Sequence, residues 1–571
     1  MEGGGGHGGA MEHESLLHGI TNTEEGLDVK QNDNIKNKRA PAIILGYVCL
    51  ESLGFYGIST NLVIYLSSIL HESNASIAMN ITTWTGTSFF TPFLGAIIAD
   101  SYSGSYKMIL FSSLLYLLGM GTITLAASIP SLKPPSCLGN SCPPASDFQK
   151  FFFYSGLYLI AFGSGGVKSS LLPLGADQFD DDNPTEAQKK GSFFNYFYFC
   201  LNAGALASST AIVWIQQNVD WAIGYGIATL CMVLALVCFL IGTFTFRLRE
   251  PGGSPLKNVS QVLVASFRKR KLRVPSDSRF LYEVDEDNLN PQGTHRLDHT
   301  DEFRCLDKAA IVSNSGMKEV DSWSCWRLCT VTQVEEFKTL LRLFPIWVAS
   351  IIYSVAYAQM YTTFVEQGRA METRLGSFSI PPASLFAFEV LSVMLWVLIY
   401  DTVVAAIARS YLGDGCGLTQ LQRMGIGYFC IIVAMATAAM VEMKRKESNK
   451  KGKLISILWQ LPQFFLMACS EVFTYIGQLE FFYDQSPNSM KSMSTAISLL
   501  SISLGNYLNS LIVSLVALVT TTRDSAGWIP DDLNKGHLDC FFWWLAGLSC
   551  LNFMAYISFA KRFTLKRRVF V

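Results

Sequence analysis

Apolar stretches of about twenty residues or more recur twelve times along this chain, and no other feature restricts its fold as sharply. They fall at about 42–70, 79–100, 107–129, 151–174, 193–215, 221–246, 337–364, 382–407, 417–442, 454–482, 490–519 and 538–560. A helix of about 20 residues, rising 1.5 Å per residue, matches the hydrocarbon thickness of a bilayer. In hydrocarbon every backbone N–H and C=O must be satisfied within its own segment, so runs of this length are helices and not strands. Composition agrees, with 50% hydrophobic and only 16% charged residues where a soluble domain carries about 25% charged. The reading is an all-α integral membrane protein.

The 44 Lys and Arg are balanced by 45 Asp and Glu, which leaves no basic surplus for nucleic acid. Fourteen Cys are scattered without a C-x-x-C or a neighbouring His pair, so neither a zinc site nor a redox dithiol is expected, and no other cofactor. Cys137 and Cys142, in a Pro-rich loop, are either a disulfide or two free thiols. Residues 1–40 are Gly-rich, then polar, and read as a disordered cytosolic tail without a secretory h-region. Within it Glu12, Leu16 and Leu17 match an acidic dileucine pattern of the kind a clathrin adaptor binds; a plain disordered tail is the equal alternative.

The chain divides as tail 1–40, six helices in 41–246, a hydrophilic linker in 247–336, six helices in 337–560 and a basic tail in 561–571. The linker carries a basic cluster (Arg268, Lys269, Arg270, Lys271, Arg273) and then an acidic one (Glu283, Asp285, Glu286, Asp287). With linker and both tails in the cytosol, the positive-inside rule is satisfied by Lys107, Lys189, Lys190, Arg409, Arg423 and Lys491. One outer loop disagrees, carrying Lys444, Arg445, Lys446, Lys450, Lys451 and Lys453. Two halves of six helices are the organisation of the major facilitator fold, in which rocking exposes a central site to each side in turn.

A charge at the bilayer centre costs about 2.5–3.5 kcal/mol, so one that persists faces a polar cavity or a partner. Four stand in the spans: Glu51, Lys168, Glu389 and Glu471. The competing reading is static ion pairs that fix packing. Gly163, Gly165 and Gly166, just before Lys168, lack the strand and the GKS/T of a phosphate loop and fit close helix approach instead. His71, His295, His299 and His537 fall in loops without ligand spacing. No nucleophile elbow, zincin motif or Walker lysine occurs, which argues against a membrane enzyme, and no re-entrant filter argues for a channel.

Gly175 to Asp180, with Phe193 to Phe199 running into Leu201 to Leu206, resembles the signature of the proton-coupled oligopeptide transporters, specifically the plant nitrate/peptide transporter family. Pro251 to Pro255, Leu328 to Glu336 and Gly477 to Gln485 are similar to motifs of its di- and tripeptide branch. The resemblance implies a small-molecule substrate, protons and membrane lipids as partners. It further implies that Lys168 binds an anionic substrate end, Glu471 a cationic end, that Tyr56, Tyr357 and Gln359 line the cavity with Glu389 a further candidate, and that Glu51 gates or couples. The family's first helix carries E-x-x-E-R/K, whereas here Val48 and Ser52 stand in place of a Glu and the basic residue. Ser105 stands where the facilitator loop motif has Arg, and Tyr357 where nitrate carriers have His.

Glu51 and Lys168 sum to zero charge, which keeps the cavity tolerable, so proton coupling is expected to be weakened. The expectation is a peptide carrier, with a specialised-metabolite carrier or uncoupled facilitator as the alternative and a non-transporting sensor as the third. A vacuolar membrane location is favoured over the plasma membrane.

Overall fold

A computed structural model describes residues 39–134, 145–179, 184–248, 255–275, 280–283, 299–312, 326–376, 378–400, 418–485, 491–522 and 525–563. Glu12, Leu16, Leu17, Cys137 and Cys142 lie outside the described residues. The first half contains α1 (Arg39–Ser68), α2 (Asn74–Ile98), α3 (Gly104–Ser128), α4 (Asp147–Ala176), α5 (Pro184–Ala207, continuing through a π turn to Val213–Asn218) and α6 (Trp221–Gly242). A linker helix, α7 (Pro255–Arg268), follows. The second half contains α8 (Val331–Tyr357, prolonged to Arg369), α9 (Leu385–Ile399), α10 (Gln420–Lys450), α11 (Leu461–Glu471, through a π turn to Gly477–Gln485), α12 (Lys491–Thr520) and α13 (Leu538–Arg562).

Ten stretches among the described residues are long and apolar enough to cross a membrane. One of them, Asn74–Ser128, is two helices, reversing at Gly104 with φ +72°, a conformation open to glycine at no steric cost. The helix α11 is missing from the ten because Gln463, Glu471 and Gln478 dilute its hydropathy. With these two adjustments the expected twelve spans are all present. Helix starts follow from local sequence: Ser146 with Gln149, Thr330 with Gln333 and Thr419 with Gln422 form reciprocal capping boxes at α4, α8 and α10, which satisfy backbone donors that have no partner within the helix.

Each half packs on its own apolar core, the first around Tyr47, Tyr65, Tyr116 and Phe239, the second around Tyr353, Tyr428, Phe464 and Phe541. Large apolar residues such as Phe111, Leu118 and Leu518 stay exposed on the rim, as a lipid-facing surface requires. The helices α2 and α3 close on α4 because Gly163, Gly165 and Gly166 present no side chain. A Cβ on Gly163 would stand 2.5 Å from the backbone N of Tyr116, and one on Gly165 would stand 2.1 Å from Thr91 Oγ1. The glycine run is therefore a packing surface.

The linker is more structured than its hydrophilicity suggests. Val262 and Ala265 of α7 pack with Leu281, Leu306, Ala309, Ala310, Val331 and Val334 in a small separate core. A buried ionic knot anchors it to α8: Lys338, with no exposed surface, lies 2.7 Å from both Asp307 and Glu335, and His299 is 3.0 Å from Asp307. His299, given no role by sequence, thus belongs to this knot.

The discordant basic loop also has a physical account. Arg445 is buried against Glu442 at 2.7 Å and donates to Asn534, Lys446 donates to the Gly536 carbonyl and pairs with Asp539, and Lys444 stands 3.5 Å over the Trp459 ring. Four of the six basic residues, with Lys451 paired to Glu447, are therefore local structural partners.

Candidate functional site

On α1, Glu51 and Phe55 are four residues apart and so share one face, while Tyr56 projects about 100° further round the helix. Glu51 is 6% exposed, and its Oε1 has no hydrogen-bond partner. The Tyr116 hydroxyl and the Lys168 ammonium are its electrostatic neighbours. The ion pair with Lys168 that charge balance suggested is not formed within 4.0 Å. Instead the Lys168 Nζ sits 3.6 Å above the centroid of the Phe55 ring and 5.5 Å from that of Phe89. A cation over an aromatic face gains about 0.5–2 kcal/mol, which holds the ammonium without committing it to a carboxylate.

The facing wall comes from α8, α9 and α11. Tyr357 donates to Glu471 Oε2 at 2.7 Å, and its ring lies edge-on to Tyr475 at 5.2 Å. Glu471 is the last residue before a π turn at Val472–Ile476, an irregularity that re-aims side chains and recurs at functional sites. Glu389, 2% exposed, brings its carboxyl group within hydrogen-bond reach of Glu471. No Lys or Arg forms an ion pair with either group among the described residues; their neighbours are Tyr56, Tyr198, Tyr357 and Tyr361. Two carboxylates so close repel strongly in a medium of low dielectric, so the pair holds a shared proton or a positive group beside it.

The halves meet at Tyr56, which stacks on Phe386 of α9 with centroids 5.6 Å apart, and Tyr361 packs on the same Phe386 ring. Tyr56 is within electrostatic reach of Glu51 on one side and of Glu389 and Glu471 on the other. Glu51 and Lys168 therefore lie on one side of an aromatic bridge, and Glu389 and Glu471 on the other.

Gln359 departs from expectation. It is wholly buried, donates to Asn509 and Val355, and accepts from Thr363, so its amide is spent on joining α8 to α12 and does not line a cavity. Trp347 and Tyr353 are packing residues that bond the Ile497 carbonyl and Ser470. Tyr361, Tyr198 and Phe386 were not singled out from sequence. Tyr361 could have been, since it follows Tyr357 by one helical turn; Tyr198 and Phe386 carry no signal beyond being aromatic.

Hydrogen bonds join the two halves along α2. Thr83 bonds Ser510 at 2.8 Å, Thr87 bonds Tyr507 at 2.9 Å, and Ser503 donates to the Gly86 carbonyl at 2.7 Å. At the end remote from the linker, the Asn74 N–H donates to Asp531 and its side chain to the Pro530 carbonyl. That seam is zipped shut, and Asn74, the first residue of a glycosylation sequon, is consumed in it.

Twelve helices in two bundles, a closed seam on one face and ionic groups gathered at the junction of the halves define a membrane transporter of the major facilitator type, not an enzyme. Residues 106–529 match the family described as PTR2, the POT family. The chain is 49% identical over 553 residues to Protein NRT1/PTR FAMILY 8.3 of Arabidopsis thaliana, covering 95% of this chain and 94% of that protein, and 47% identical over 560 residues to Protein NRT1/PTR FAMILY 8.5 of the same plant, covering 96% and 95%. Among solved structures it is similar to an auto-inhibited POT family peptide transporter (TM-score 0.70, 21% identity, 93% of this chain and 98% of that one) and to the POT family transporter PepTSo (TM-score 0.68, 21% identity, 92% and 98%). The chain belongs to the POT family.

Proposed function

We propose that this transporter moves small zwitterionic organic solutes, with di- and tripeptides first, by alternating access between its two halves. The observation that carries this reading is complementarity. Among the described residues, Lys168, a cation held by an aromatic ring and paired with no carboxylate within 4.0 Å, stands in one half; Glu389 and Glu471, acids paired with no cation, stand in the other; Tyr56 and Phe386 lie between. A solute carboxylate would draw Lys168 from Phe55, and its ammonium would settle beside Glu471 and Glu389, replacing repulsion with attraction. Occupying both ends at once links the halves, which is what a rocking carrier needs.

Proton coupling has two places to act in this reading. Glu51 lacks its Glu and basic companions at Val48 and Ser52, so its contribution is reduced, and the acid pair accepts either a proton or an ammonium. Residues 41–246 and 337–560 act as the two rocking units, with 247–336 and both tails on the cytosolic side. The dileucine pattern at Glu12, Leu16 and Leu17 directs the protein to the vacuolar membrane, and a fluorescent fusion carrying Leu16→Ala and Leu17→Ala should be redistributed.

The test is counterflow in proteoliposomes preloaded with unlabelled dipeptide. Accumulation of labelled dipeptide supports the proposal. Exchange with plant metabolite fractions but not with peptide would replace it by the specialised-metabolite reading, which the aromatic bridge of Tyr56, Phe386 and Tyr361 favours. Binding without flux would point to a sensor.

A further inference from the structure

A second ionic site lies away from the aromatic bridge, at the closed seam. A cavity of about 400 Å³ opens there between the halves, lined by Glu72 and Asn74 from the first half and Glu366, Arg369, Asp531 and Asp532 from the second. Four carboxylates face the Arg369 guanidinium and the His71 imidazole, with Lys535 3.6 Å from Asp532, so acids outnumber bases at the site. Most of these acids are engaged: Glu72 accepts from Tyr154 and Asn80, Asp531 from the Asn74 backbone, and Asp532 from the Asn534 backbone. Glu366 is not. It is 2% exposed, and neither carboxylate oxygen reaches a hydrogen-bond donor, Arg369 one turn away included. A buried carboxylate without a partner carries a desolvation cost that a bound cation would relieve.

The shape of the site selects the kind of cation. Only two groups of His, Cys, Asp or Glu among the described residues bring ligand atoms within 4.8 Å of one another, and neither is here, so no bare metal ion could be chelated. The space corresponds to about a dozen waters at about 30 Å³ each, far more than one inorganic ion fills, and acids stand on both walls. We infer that this seam cavity is a binding site for a small organic diammonium ion, with one ammonium on Glu366 and the other toward Glu72 across the seam. Because its walls belong to both halves, the site exists only while the seam is closed.

The test is equilibrium binding of labelled putrescine to the full chain purified in detergent, with Mg²⁺ as competitor. Saturable binding, weakened at least about tenfold by Glu366→Gln and tightened by Arg369→Gln, is expected, since the second change removes the guanidinium from the lining. A folding defect would weaken binding in both variants and could not produce that opposite sign. Absence of saturable binding in the unaltered chain, indifference to Glu366→Gln, or equal competition by Mg²⁺ would each overturn the assignment. Dipeptide counterflow is independent of these outcomes, so this site and the transport proposal fail separately.

Discussion

Replacing Gly163 by Ala tests whether helix contact in the first half positions Lys168 and Glu51. The added Cβ would stand 2.5 Å from the Tyr116 backbone N and 2.6 Å from its Cα and Cβ, about 1 Å inside the usual carbon contact of about 3.5–4.0 Å. Two of these three atoms are backbone, so no rotamer change relieves the clash and α4 must move off α3. Overpacking of this kind costs about 1–3 kcal/mol. Alanine's better helix propensity, up to about 1 kcal/mol, offsets part of it. A net loss of up to about 2 kcal/mol is a factor of up to about 30 in the folding equilibrium.

The facing helix α3 supplies a control, because a Cβ on Gly121 would meet nothing within 4 Å. Gly121→Ala should therefore be neutral or slightly stabilising. Thermal denaturation of the solubilised chain, followed by intrinsic fluorescence, should place the two variants on opposite sides of the parent. The displaced Tyr116 is the residue whose hydroxyl neighbours Glu51, so Gly163→Ala should also impair solute binding. If Gly163→Ala proved as stable as Gly121→Ala, the glycine run would not be a packing surface and the account of how Lys168 is placed would fail.

Further outcomes follow from named contacts. Lys338→Met would leave Asp307 and Glu335, 1% and 3% exposed, without their cation, at a cost of about 3–5 kcal/mol; limited proteolysis should cut sooner at Arg268 to Arg273, and unchanged cleavage would mean the knot does not hold the linker. Glu471→Gln should weaken binding of a zwitterionic dipeptide about tenfold or more, in line with about 1.5–3 kcal/mol for a hydrogen bond to a charged group, while sparing a ligand that lacks the amino end; equal losses for both ligands would show that the residue is not an ammonium site. Uptake compared at pH 5.5 and 7.5 should show a shallow dependence that Glu51→Gln scarcely alters. A steep dependence abolished by that substitution would restore Glu51 as the principal proton site.

The linker knot and the outer seam bear on how such a carrier is controlled. The chain joining the halves is docked through Lys338 onto the start of α8, the helix that also carries Tyr357 and, three turns on from it, Arg369. Linker, aromatic bridge and outer cavity therefore touch one continuous element. Such an element could transmit displacement, and the variants above separate its three contacts from one another.

Much of the architecture was set by the sequence alone. Twelve spans and the six-plus-six division follow from hydropathy, which is a local property. The cost of charge in hydrocarbon marked Glu51, Lys168, Glu389 and Glu471 before any contact was known. Which of them meet was decided in three dimensions, because contacts between residues hundreds of positions apart leave no trace in local patterns. Charge balance suggested that Glu51 pairs with Lys168, yet packing places the ammonium over Phe55. Glu389 and Glu471 stand together although they are remote in sequence, and Gln359 is turned into the joint with Asn509. The exposed-looking basic run after Met443 is partly neutralised by Glu442 and Asp539. Tertiary structure alone shows Glu366 as a bare buried acid, because an unsatisfied group is defined by everything that surrounds it.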